Sequence, residues 1–199
     1  MVVLCFVEEP SAEAALASLL PKLLPEAVFQ FIIFQGKRDL LLNIHSRLRG
    51  YANWLPEDWR IIVLVDEDRE DCQELKRQLE SASLSAGFVS KSQAGGGSFQ
   101  VLNRIAVEEL EAWFLGDVEA LRQVYPRLPA SLANRQRFRD PDRVVGGTWE
   151  SLESLLQAHG YYPAGYPKLE AARQISQHMV PDRNHSHSFQ IFIQGLQAL

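Results

Sequence analysis

Arg60-Ile61-Ile62-Val63-Leu64-Val65-Asp66-Glu67-Asp68 sets five consecutive aliphatic residues directly before two aspartates spaced by one. A short, β-branched, apolar run of this kind predicts a strand buried on both faces, the habit of a central strand in a parallel sheet. Its carboxylates then emerge at the C-terminal end of the strand, the edge where an open α/β sheet binds ligands. Residues i and i+2 of an extended chain point the same way, so Asp66 and Asp68 are expected to converge. Two converging carboxylates call for a cation between them, and a hard divalent ion with oxygen ligands is the simplest. The competing reading has both aspartates capping a helix predicted over 70–83.

Towards the N-terminus, Val2-Val3-Leu4-Cys5-Phe6-Val7 repeats the buried-strand signature and ends in Glu8-Glu9-Pro10-Ser11. Glu8 thus holds the same kind of position on the first strand that Asp66 and Asp68 hold on a later one. Ser11 is the expected N-cap of a helix over 12–20, closed by Pro21 or Pro25. A second strand is predicted over 28–34, then a turn at Gly36-Lys37 and an amphipathic helix to about residue 49. A fourth strand over 99–107 leads into an acidic helical stretch, 108–117. Leu110, Trp113 and Phe114 form its apolar stripe, Glu109 and Glu111 flank that stripe, and Glu108 faces solvent. The expected fold is α/β: a mostly parallel sheet of about four strands flanked by helices over 1–117, with a helical extension over 118–199 packed on it. Its helices are expected over 152–158, 169–179 and 189–199.

Composition narrows the function classes. With 25 acidic and 20 basic residues the net charge is −5, which argues against strong autonomous binding to a phosphate backbone. Arg135, Arg137, Arg139 and Arg143 gather in one stretch with Asp140 and Asp142, as a phosphate-contacting patch or an internally paired loop. Two separated cysteines, no secretory leader and no apolar run of 18 residues point to a reduced, cytoplasmic protein without a membrane span. His185-Ser186-His187 lacks the third ligand that a zinc site needs. Lys168 follows Tyr166-Pro167 at a predicted helix N-terminus, where a cation is disfavoured unless an anion lies nearby.

A glutamate ending strand one, Asp-x-Asp ending strand three and acidic residues after strand four resemble the Toprim domain of topoisomerases, primases and related nucleases. The chain departs from the usual pattern at Glu9, where glycine commonly follows the first glutamate. More closely, it resembles small bacterial Toprim-like proteins grouped as domain-of-unknown-function family 4276. The resemblance rests on Val7-Glu8-Glu9-Pro10-Ser11, Gly36-Lys37-Arg38-Asp39-Leu40, Val65-Asp66-Glu67-Asp68, Glu109 to Asp117, Phe138-Arg139-Asp140-Pro141-Asp142, Lys168 with Ala171-Ala172-Arg173, and Asn184 with Ser186, Ser188 and Phe189. It implies a Mg²⁺- or Mn²⁺-dependent phosphodiester hydrolase, a nuclease acting with an ABC- or SMC-like ATPase in phage defence, the partner holding the nucleic acid. Glu8, Asp66 and Asp68 would hold the metal, Glu109 or Glu111 would complete a second site, and Lys168 would serve the scissile phosphate. Two other readings stay open: a non-catalytic regulatory subunit of an ATPase complex, and a metal-dependent nucleotide-utilising transferase.

Overall fold

Each aliphatic run becomes a strand. The computed structural model describes residues 1–135, 138–144 and 146–199, running β1 (Val2–Val7), α1 (Pro10–Leu23), β2 (Val28–Ile33), α2 (Lys37–Ala52), β3 (Trp59–Asp66), α3 (Cys72–Ser85), β4 (Val101–Ala106), α4 (Leu110–Leu115), α5 (Val118–Val124), α6 (Thr148–Ala158), α7 (Lys168–His178) and α8 (His187–Leu196). The four strands pair in parallel in the order β2-β1-β3-β4, so the α/β class, the strand number and the C-terminal helices are as expected. β1 and β3 are central, with Val3 to Val7 and Ile61 to Val65 all buried. That double-sided burial is why their sequences are unbroken apolar runs rather than alternations.

Helices cover both faces. Leu40, Ile44 and Leu48 of α2 and Leu75 and Leu79 of α3 pack on Leu4, Phe6, Ile61, Val63 and Val65. On the other face α1 and α4 share one core with α5 to α8. The ammonium of Lys22, near the end of α1, donates to the carbonyls of Ser176 (3.0 Å), Gln177 (2.7 Å) and Met179 (3.3 Å) at the end of α7. The C-termini of α1 and α7 are thereby pinned together, and the two helices run side by side with their N-termini at the same end. That end is the C-terminal edge of the sheet.

Local details differ from the sequence expectation. α1 starts at Pro10, with Glu9 as its N-cap residue, and Ser11 lies in the first turn and donates its hydroxyl to the Glu9 carboxylate. Proline at the first helical position sacrifices no bond and has the right φ. Pro21 does not stop the helix; it falls in the last turn, and the chain still closes with Leu24 N–H on Leu20 O at 2.8 Å. The expected helix over 108–117 is six residues long, Leu110–Leu115, and buried on every side, so the helical wheel has no solvent margin. Among the described residues no helix is long and apolar enough to cross a membrane.

Candidate functional site

Parallel pairing sets Val7 beside Leu64, which brings the ends of β1 and β3 together. Glu8 Oε1 accepts the Asp66 backbone N–H at 2.7 Å. The two strand-end acids are thus coupled by a hydrogen bond that leaves the Asp66 carboxyl free. Burial pushes the Glu8 carboxyl up to about 7, opposed by the Asp66 amide and Lys37 and assisted by Asp68 and Glu9. Asp66 is pushed well above the carboxylate range by burial first, then by Glu8, Glu111, Asp68 and Glu9. Repulsion among these five acids means that they share one field.

Asp68 stands apart from its expected role. β3 ends at Asp66, and Asp68 has φ +52° with its N–H on Glu108 O at 2.6 Å. The i, i+2 rule holds only in extended chain, so Asp68 does not line up with Asp66. Its carboxylate instead meets Lys37 Nζ at 2.5 Å. Lys37 also reaches the Glu67 carbonyl at 2.9 Å and Glu70 at 3.2 Å; burial works against its charge, but Asp68 and Glu70 outweigh burial and hold its pKa up. Neither Asp66 nor Asp68 caps the next helix. Asp71 does, accepting from the N–H groups of Gln73 (2.8 Å) and Glu74 (3.0 Å).

The two glutamates around α4 have opposite fates. Glu109 is its N-cap residue, outside the helix, and its Oε2 accepts from Thr148 Oγ1 at 2.9 Å and Trp149 N at 2.7 Å, capping α6. Glu111 turns inward at 4% exposure, and burial pushes it up to about 7 against the pull of Lys168. Glu108 has φ +62° and lies in the turn before α4.

Lys168 opens α7, as expected. Because α7 lies along α1, its ammonium enters the acidic field. Burial opposes its charge, while Glu111, Glu9, Glu109 and Asp66 together raise its pKa. Its Nζ lies 5.1 Å from the centre of the Trp149 ring, a cation–π arrangement. Two buried polar atoms nearby have no hydrogen-bond partner among the described residues, the Tyr166 hydroxyl and Trp149 Nε1, and Glu111 acts electrostatically on Tyr166. Glu9, Lys37, Tyr166 and Trp149 were given no site role from sequence. Only Glu9 and Lys37 had an available signal, their place in the turns that follow β1 and β2.

A cleft of about 690 Å³ opens beside this edge, lined by Asp68, Arg69, Glu108, Glu109, Arg143 and Gly147 among others. Of the four clustered arginines, Arg137 lies outside the described residues; Arg139 reaches the Asn134 carbonyl at 3.5 Å and Arg143 pairs with Asp140 at 3.5 Å. The stretch is therefore at least partly self-paired. Asp142 is buried and holds the start of α8, accepting from Ser186 Oγ and Ser188 N, each at 2.6 Å. That network leaves His185 and His187 exposed on either side of buried Ser186.

The donor set suits a hard cation: carboxylate oxygens at a strand edge, with no thiolate or imidazole among them. Among the described residues no three His, Cys, Asp or Glu side chains form a metal-binding group. Glu8 and Asp66 are the carboxylates that would suit an ion held by one or two protein oxygens together with water and substrate, as Mg²⁺ is commonly bound. Comparison with curated proteins and with solved structures finds no match. The model of the family described as Domain of unknown function (DUF4276) matches residues 7–197, and the chain belongs to that family.

Proposed function

We propose that the protein is a divalent-metal-dependent phosphodiester hydrolase of Toprim type, a nuclease that acts with an ATPase partner. The observation that carries this reading is the pairing of Glu8 and Asp66 at the ends of the two central strands, bridged at 2.7 Å, with Glu111 and Lys168 in the same field. Carboxyls raised first by burial and then by one another make an anionic pocket suited to a cation. In this reading Glu8 and Asp66 hold Mg²⁺ or Mn²⁺. Bound there, the ion supplies an activated water and charge stabilisation for in-line displacement at phosphorus.

The chain's own groups do the rest. Asp68 becomes available only by letting go of Lys37. Glu111 is the free acid of the α4 pair, since the Oε2 of Glu109 is committed to α6. Lys168 faces the carboxylates from α7 and meets the charge that builds on the equatorial oxygens as the water oxygen bonds to phosphorus and the leaving P–O bond breaks. Arg69 and Arg143 line the adjoining cleft and in this reading would meet flanking phosphates, Arg143 on leaving Asp140.

The ion pair between Lys37 and Asp68 favours the other reading, a non-catalytic ATPase subunit, because it neutralises a carboxylate the hydrolase would use. Supercoiled plasmid incubated with the protein, Mn²⁺ and the candidate ATPase separates the two. Cleavage that is lost in Asp66→Asn supports the hydrolase; intact plasmid with a stable complex supports the subunit. The net charge of −5 adds an expectation for the protein alone. Its affinity for duplex DNA should be weak and should fall steeply between about 50 and 200 mM salt, as fluorescence anisotropy would read. Tight, salt-resistant binding would remove the need for a partner.

A further inference from the structure

We infer that β2 is a dimerisation strand, pairing antiparallel with β2 of a second copy about a two-fold axis at Phe31. β2 is the outer strand of the sheet and, among the described residues, pairs only with β1. The Val28 N–H bonds Met1 O at 3.0 Å and the Phe34 N–H bonds Val7 O at 2.9 Å. Successive residues of a strand turn their backbone groups to opposite sides, so the N–H and C=O groups of Phe29, Phe31 and Ile33 face outward. The sequence Val-Phe-Gln-Phe-Ile-Ile contains no charge and no proline, the usual protections of an exposed edge. Val28 is 59% and Ile33 41% exposed, with Met1 beside them at 39%. The opposite edge is treated differently: Ser90 bridges Val101, and the Lys91 N–H bonds Val101 O at 2.9 Å.

A second copy fits this edge for two reasons. All three outward-facing residues are odd-numbered, so antiparallel pairing centred on Phe31 sets Phe31 against itself and Phe29 against Ile33, and every outward group finds a partner. Charge is self-complementary as well. Glu26 precedes the strand and Arg38 follows it; both are exposed, and neither is in an ion pair among the described residues. Antiparallel pairing brings Glu26 of each copy to the Gly36–Arg38 turn of the other. The product is a continuous eight-stranded sheet whose two acidic edges face opposite ways.

Sedimentation velocity on the full chain tests the assignment. The wild type should be a dimer at tens of micromolar. Ile33→Pro removes one outward N–H and leaves the β1 ladder intact, so it should weaken dimerisation by about a hundredfold or more with an unchanged circular dichroism spectrum. Glu26→Arg and Arg38→Glu should each weaken the dimer, and the double variant should restore it. If Ile33→Pro fails to fold, Phe31→Cys decides instead. Residues paired this way have Cα atoms about 5.5 Å apart, within disulfide range, so mild oxidation should give a covalent dimer. A monomeric wild type, a folded Ile33→Pro that still dimerises, or no cross-link at residue 31 overturns the proposal.

Discussion

Lys168→Met should lower the rate of phosphodiester cleavage by about a hundredfold or more while leaving Mn²⁺ affinity unchanged, since a fixed cation aimed at developing charge is worth on the order of 2.7–4 kcal/mol. The expectation follows from where the lysine stands. Its helix starts at the acidic edge because Lys22 pins the C-terminus of α7 to that of α1. A cation at a helix N-terminus opposes the dipole, and here Glu111, Glu9, Glu109 and Asp66 hold its charge against burial. A second readout separates this role from simple packing on Trp149. Lys168 pulls the Glu111 pKa down, so its removal should move the limb of the pH–rate profile that reports Glu111 upward. Undiminished cleavage would take Lys168 out of the site.

The second large effect is on stability. Glu8 and Glu111 are both pushed up to about 7 and Asp66 is raised as well, all above their values in the unfolded chain. The folded protein therefore binds more protons than the unfolded one between about pH 4.5 and 7. Stability contributed by these groups is present below that window and lost as pH rises through it. In EDTA the melting temperature should fall from pH 5.5 to 8. Saturating Mn²⁺ at pH 8 should reverse the loss, by about 2.7 kcal/mol at a hundredfold excess over Kd, or roughly 5–10 °C at this size. Asp66→Asn should lose the metal response yet be at least as stable as the wild type in EDTA at pH 8, because it removes a carboxyl whose ionisation burial and the neighbouring acids oppose. Unfolding of Asp66→Asn in EDTA would make Asp66 a structural residue.

The sheet was legible because burial on both faces leaves an unbroken aliphatic run, and β1 and β3 carry that mark. Glu8 and Asp66 were legible with it, since a residue following such a run must lie at the strand's end. Asp68 was misread because its direction is set by a turn held by Glu108 O, a contact 40 residues along the chain. Glu109 was placed on the helix itself for a related reason: α4 begins two residues later than the pattern implied, and the partner of Glu109 is the distant start of α6. Periodicity records what a residue's own helix does, not which other helix docks against it. The entry of Tyr166 and Trp149 into the site depends on such docking, so a single chain pattern could not place them.

Mn²⁺ titration followed by the electron paramagnetic resonance signal of the free ion tests the central claim most directly, since it needs neither substrate nor partner. The wild type should show saturable binding at pH 8, and Glu8→Gln and Asp66→Asn should each weaken it by about tenfold or more, the scale expected for losing an ion-pairing ligand. Equal binding by all three proteins, or none by the wild type, would contradict a metal site at the ends of β1 and β3.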